Sequence, residues 1–264
     1  MDSGTPTPRR APTNAEFGGP GRHTTDTLMA LNVMCFALQW LTKDKLTYLG
    51  WKVNALITAG QVWRLLTPAF LHASITHLGF NMYALHNLGP QLEVLSGGPR
   101  FTAIYLTSAV VSCGASYLFC KAPSLGASGA IFGLGAALGI FYWRHRDILG
   151  EQSGRALKSL GITLAMNIAF SLVGRNLDNW GHAGGMLGGA VLALLLGPRF
   201  LRQPDGSIVD KPPVSLLSHR TVRPAPTQAP QKQQRTQHSP GQTAATHKGS
   251  KKPAPGTGVD SPPL

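Results

Sequence analysis

The chain has 264 residues, of which 43% are hydrophobic and 13% charged, with a formal net charge of +13. A mean hydropathy near zero hides two materials, long charge-free stretches and a basic, proline-rich end. The cations of that end, Arg220, Arg223, Lys232, Arg235, Lys248, Lys251 and Lys252, are scattered with no aromatic residue among them, which sets nucleic acid aside and fits a solvated or lipid-surface tail.

Residues 1–26 read as a polar N-terminal tail. Arg9, Arg10 and Arg22 with several Ser and Thr resemble an organelle transit peptide, whereas Asp2, Glu16, Asp26 and the shortness of the segment argue against one. Residues 27–200 hold six stretches free of Asp, Glu, Lys and Arg: Thr27–Thr42, Leu65–Leu92, Phe101–Cys120, Ala122–Trp143, Ser159–Gly174 and Asn179–Pro198. Because about 20 apolar residues cross a bilayer, four stretches suffice outright and the two of 16 residues need snorkelling flanks or local thinning. The expected fold class is an all-α membrane protein with six spans. Residues 201–264, with few aliphatic side chains after Leu216 and Leu217, cannot offset their ordering entropy and are expected to be disordered.

With both ends inside, eleven basic residues fall near the inner side (Arg9, Arg10, Arg22, Arg100, Arg144, Arg146, Arg155, Lys158, Arg199, Arg202, Lys211) and six on the outer side (Lys43, Lys45, Lys52, Arg64, Lys121, Arg175). The first outer loop, from Lys43 to about Pro68, carries Trp51, Trp63 and Arg64 among apolar residues, as an interfacial segment or an ordinary aromatic anchor would. Cys35, Cys113 and Cys120 have no metal spacing and read as packing residues. No internal repeat supports an inverted-repeat transporter.

Two polar residues stand out because side chains of this kind at bilayer depth are costly and are retained for a partner or a function. Ser128, in Gly126-Ala127-Ser128-Gly129, sits where the fourth span begins, at a helix N-terminus whose unpaired N–H groups can bind an oxyanion. On its own it could equally be a capping or packing residue. His182, in Gly181-His182-Ala183-Gly184-Gly185, lies at the outer end of the sixth span, the same depth as Ser128, and its imidazole can take a hydroxyl proton and return it to a leaving amine. Asp178 suits a helix start better than an orienting carboxylate, so the expectation is a Ser-His dyad. Small residues recur every fourth position, Gly129, Gly133 and Ala137 against Gly181, Gly185, Gly189 and Ala193, and let two helices approach closely. In the second span His77 and Asn81 share a face at i and i+4 and can donate to an oxyanion with the Ser128 amide, while His86 reads as a packed core or inner-loop residue. A zinc site is the rival reading of these histidines, but no glutamate stands near them, so no metal and no cofactor is expected.

The set Trp63-Arg64, His72, His77-x-x-x-Asn81, Gly126-x-Ser128-Gly129 and Gly181-His182-x-x-Gly185 resembles the rhomboid intramembrane serine proteases in order and spacing over about residues 28–200. The resemblance implies a six-helix bundle with an interfacial first loop at Trp63 and Arg64, with Ser128 as nucleophile and His182 as general base and acid. It implies an oxyanion hole from His77, Asn81 and the Ser128 amide, His72 as an accessory polar residue, and Phe132 stacked on the catalytic imidazole. The implied partners are transmembrane protein substrates and the lipid bilayer. An inactive rhomboid-like protein that binds membrane clients is the alternative. Gly181 stands where many relatives have Ala, and the Asp178–Gly185 string, the approach Lys121–Gly126 and six spans look like the plastid branch, which implies a chloroplast envelope, with a mitochondrial inner or bacterial plasma membrane as alternatives.

Overall fold

The computed structural model describes residues 22–173, 178–204, 208–214 and 221–222, with side chains of 163–173, 202, 208 and 221–222 left aside. The expectations for the tail before residue 22 and for the tail beyond residue 222 fall outside these residues.

Helix α1 (His23–Leu41) starts on a buried carboxylate: Glu93 accepts the Thr24 and Thr25 amides at 2.7 and 2.8 Å and the Thr25 hydroxyl at 2.7 Å. A negative charge there meets the unpaired N–H groups of the first turn. The first loop then folds into two short helices, α2 (Lys45–Gly50) and α3 (Asn54–Thr58), and two 3₁₀ turns, Val62–Leu65 and Thr67–Phe70. Arg64 is buried at its centre, where its guanidinium donates to the Gln61 side chain and to the carbonyls of Trp51 and Tyr48 at 2.7–3.0 Å. Lys52, counted from the sequence as an outer-side charge, is also buried, and its ammonium donates to the Ala122 carbonyl at 3.0 Å.

Helix α4 (Ile75–Ser96) begins ten residues later than its charge-free stretch, because Pro68 and the extended Ser74 intervene and Ser74 Oγ caps it by accepting the His77 amide. Helix α5 (Gly98–Phe119) follows across Gly97, whose φ of +80° makes the turn. Helix α6 (Ser128–Arg144) is likewise shorter than its stretch, since residues 121–127 stay in a loop held by backbone pairing of Lys52 with Ser124. A short α7 (Arg146–Leu149), α8 (Glu151–Val173) and α9 (Asn179–Leu196) complete an all-α bundle. Each of the six charge-free stretches underlies one of the long helices α1, α4, α5, α6, α8 and α9. Among the described residues, α5 alone is both long and apolar enough to cross a membrane by itself, at 22 residues and mean hydropathy 1.4. The 17-residue α6 is short, and α9 opens on Asn179-Trp180-Gly181-His182.

Helices α5, α6 and α9 form the densest part of the bundle, and glycines make that possible. A Cβ on Gly185 or Gly189 would overlap the carbonyls of Gly129 or Gly133 on α6, and one on Gly184 would sit 2.8 Å from the Val111 carbonyl on α5. One face of α9 therefore lies against α6 and the adjacent face against α5, backbone to backbone.

At the end of the bundle remote from Ser128, Phe200–Arg202, Ile208–Asp210 and Thr221–Val222 form a three-stranded antiparallel sheet, β1–β3. The disorder expected from residue 201 therefore does not hold for these strands. Asp210 forms a buried ion pair with Arg100 and accepts the Arg199 amide at 2.9 Å, a tertiary anchor that composition does not reveal. His145 completes the junction: its Nε2 accepts the Phe200 amide at 2.9 Å, its Nδ1 bonds the Phe141 carbonyl at 2.8 Å, and its ring lies 4.4 Å from that of Phe141. His86 is exposed, with Nδ1 3.0 Å from the Arg22 guanidinium, so the packed-core option for it is set aside.

Candidate active site

Ser128 is the first residue of α6, so its amide lies outside the helical ladder, whose first bond runs from Ile131 N–H to the Ala127 carbonyl at 3.0 Å. The preceding turn is shaped by Gly126, with φ of +135°, a conformation that side chains avoid. A Cβ at Gly126 would also stand 2.8 Å from His77 Nε2 and 3.8 Å from Ser128 Oγ, so its lack of a side chain lets the histidine edge approach the hydroxyl.

His182 lies in the first turn of α9, one turn past Asp178, and the close α6–α9 contact brings its Nε2 to 2.9 Å from Ser128 Oγ. The hydroxyl can donate to Nε2, which is the bond a general base needs. Phe132, one turn after Ser128, lies against the imidazole with ring centroids 4.5 Å apart and planes inclined by 30°. The stacking and the hydrogen bond together fix ring orientation.

On α4, the Ala73 amide lies 3.5 Å from His77 Nδ1, an arrangement that leaves the proton on Nε2, the nitrogen facing Gly126. Asn81 uses one N–H on the His77 carbonyl at 3.1 Å, leaving the second as a donor. Asn81 and Ser128 line one apolar cavity of about 330 Å³, bounded by Phe80 and Ala84 of α4, Phe132 and Gly135 of α6, and Leu157 and Gly161 of α8. The His77 Nε2 edge thus lies beside Gly126, next to the Ser128 turn, and Asn81 shares a cavity with Ser128. His72 is buried with its ring 5.2 Å from that of His77, and neither of its ring nitrogens has a protein partner among the described residues. Trp63, half exposed, bonds the Leu49 carbonyl, and both it and Arg64 lie in the first loop, away from the hydroxyl.

Asp178 caps α9, accepting the Gly181 amide at 2.9 Å, and its other oxygen accepts the Ser116 hydroxyl. Ser116 went unnoticed in the sequence. The signal was there: Ser108, Ser112 and Ser116 recur every fourth residue in an apolar stretch, and a Cβ on Gly133 or Gly129 would run into the first two. Among the described residues no cluster of His, Cys, Asp and Glu could hold a metal ion.

A family profile described as Rhomboid domain matches residues 59–199, which takes in each residue named above from Trp63 to Phe132 and His182. The chain is 37% identical over 178 residues to "Rhomboid protease GluP" of Bacillus subtilis (strain 168), covering 66% of this chain and 34% of that protein. It is 34% identical over 169 residues to "Rhomboid-like protease 1" of Toxoplasma gondii, covering 60% of this chain and 55% of the relative. It is 37% identical over 165 residues to "RHOMBOID-like protein 6, mitochondrial" of Arabidopsis thaliana, covering 62% and 51%. The chain spans between about a third and just over half of the length of these relatives.

Proposed function

The chain belongs to the rhomboid family, and we propose that it is an intramembrane serine protease in which Ser128 and His182 cleave a peptide bond in or near a transmembrane helix of a protein substrate. The observation that carries this reading is the 2.9 Å contact between Ser128 Oγ and His182 Nε2, made by residues 54 positions apart across two helices. Ser128 Oγ attacks the scissile carbonyl as its proton passes to Nε2. The tetrahedral oxyanion accepts hydrogen bonds from His77 Nε2–H, the Asn81 amide and the Ser128 N–H, which stabilise the charge as it develops. Collapse passes the proton from His182 to the leaving amine and leaves an acyl-enzyme on Ser128, which water hydrolyses with His182 again as base.

Six spans are part of this reading, with both termini on the inner side and the dyad near the outer face. The 330 Å³ cavity between α4 and α8 gives an apolar path from lipid to Ser128. The plastid assignment rests on the Asp178–Gly185 string, the Lys121–Gly126 approach and the six spans, and organelle fractionation decides it against a mitochondrial or bacterial membrane. The test of the activity is cleavage of a model transmembrane substrate by purified protein in lipid vesicles. Cleavage is expected to fall by about a thousandfold or more in Ser128→Ala and in His182→Ala; undiminished cleavage in both would remove the dyad.

A further inference from the structure

We infer that Asp178 is a positioning residue for His182 and acts together with Ser116; the inference rests on the dyad assignment above. The first two turns of α9 lie against α5 and α6 largely through Gly181, Gly184 and Gly185, with the Trp180 ring 4.8 Å from that of Phe119 and the His182 ring 4.5 Å from that of Phe132 as apolar side-chain contacts, which are less directional than a hydrogen bond. Apart from the Ser128–His182 bond itself, the described residues offer one side-chain hydrogen bond between this end of α9 and another helix, from the Ser116 hydroxyl to Asp178 Oδ2.

The geometry gives one carboxylate two jobs. Oδ1 accepts the Gly181 amide at 2.9 Å and closes the helix start, while Oδ2 holds α5 through a serine that is 1% exposed and also lies 3.3 Å from Ser124 Oγ. The Asp178 carbonyl in turn accepts the His182 amide at 3.0 Å, the bond that fixes where the imidazole leaves the helix. Asp178, Ser116 and Ser124 line the same cavity, about 40 Å³, as Ser128 and His182. A shift of the α9 start by an ångström would carry the imidazole out of bonding range of the hydroxyl.

Substitution can separate the two jobs, because serine caps a helix as well as aspartate does but is too short to bridge to α5. In full-length protein in vesicles, Asp178→Ser and Ser116→Ala are each expected to lower kcat on a transmembrane substrate by tenfold to a hundredfold, as about 1 Å of misplacement does. KM should stay within about twofold and the melting temperature within about 3 °C. The double variant should lose no more than either single one, because both remove one bond. Asp178→Asn, which keeps a capping oxygen and can donate to Ser116, should recover at least half of the loss on a logarithmic scale. Wild-type kcat in both single variants, losses that multiply, or losses that disappear once rates are divided by the folded fraction would each overturn the inference. Ser128→Ala run alongside separates the two readings: if it is inactive while Asp178→Ser is fully active, the positioning role alone fails, and if it retains cleavage, the dyad fails.

Discussion

The two ends of the bundle solve opposite problems. At the Arg100 end, polar groups are paired to completion: Arg100 with Asp210, His145 with Phe141 and Phe200, Glu93 with the start of α1, and the Arg144 guanidinium with the Leu194 carbonyl at 2.9 Å. At the Ser128 end, polar groups are left without protein partners: Asn81, with one N–H unspent, lines a cavity with Ser128, the His77 Nε2 edge faces Gly126, and the buried His72 ring has no protein partner among the described residues. Saturated hydrogen bonding stabilises a fold and leaves nothing for a ligand, whereas preorganised but unspent donors cost stability and favour a transition state. Stability rests with one end and reactivity with the other.

That division can be broken most severely at the Arg100 end. Arg100→Met leaves Asp210 buried without its cation, and a loss of about 3–5 kcal/mol is expected in unfolding measured in mild detergent, with cleavage per folded molecule unchanged. A comparable fall in activity per folded molecule would show that the ends are not separable. At the Ser128 end, His77→Ala should lower kcat about 10²–10³-fold while the melting temperature barely moves, the reverse signature.

Between the ends, Gly189→Val tests the backbone contact itself, because a side chain there meets the Gly133 carbonyl. Overpacking of this kind is expected to cost about 1–3 kcal/mol and to weaken cleavage as well, since the same contact carries Ser128 and His182 together.

The smallest expected effect is a pH dependence at the Arg100 end. Burial, ahead of the neighbouring Arg144, holds the His145 imidazole below its usual 6.5, against the raising influence of the Phe141 carbonyl and Asp210. The neutral ring is what the fold needs, because Nε2 accepts the Phe200 amide. His145 therefore adds no penalty above about pH 6.5, and stability falls as the pH drops below that value, where the unfolded chain takes up a proton and the folded chain does not. Melting temperatures at pH 7.5 and 5.5 should differ less in His145→Gln than in the native chain; equal differences would exclude His145 as the source.

Much of this was legible in the sequence because the bilayer imposes a simple rule, long stretches without charge, and because Ser128, His182, His77 and Asn81 stand out against it. Helix starts were less legible. The charge-free rule sees neither Ser74, whose hydroxyl caps α4, nor Gly126, whose positive φ delays α6. Lys52 looked like a solvent-side charge because burial by carbonyls of a loop some 70 residues away is a tertiary fact. Strands β1–β3 escaped for the same reason: Phe200 and Asp210 are held by His145 and Arg100, partners that composition does not reveal. Asp178 was legible as a cap, but its second oxygen was not, since only packing brings Ser116 to it.

The most direct test of the central claim is labelling with a serine-reactive fluorophosphonate in vesicles, followed by mapping of the modified peptide. The account predicts a single label on Ser128 that is lost in His182→Ala, because the 2.9 Å contact is what makes that hydroxyl nucleophilic. Label on another serine, or on Ser128 at an unchanged rate without His182, would contradict it.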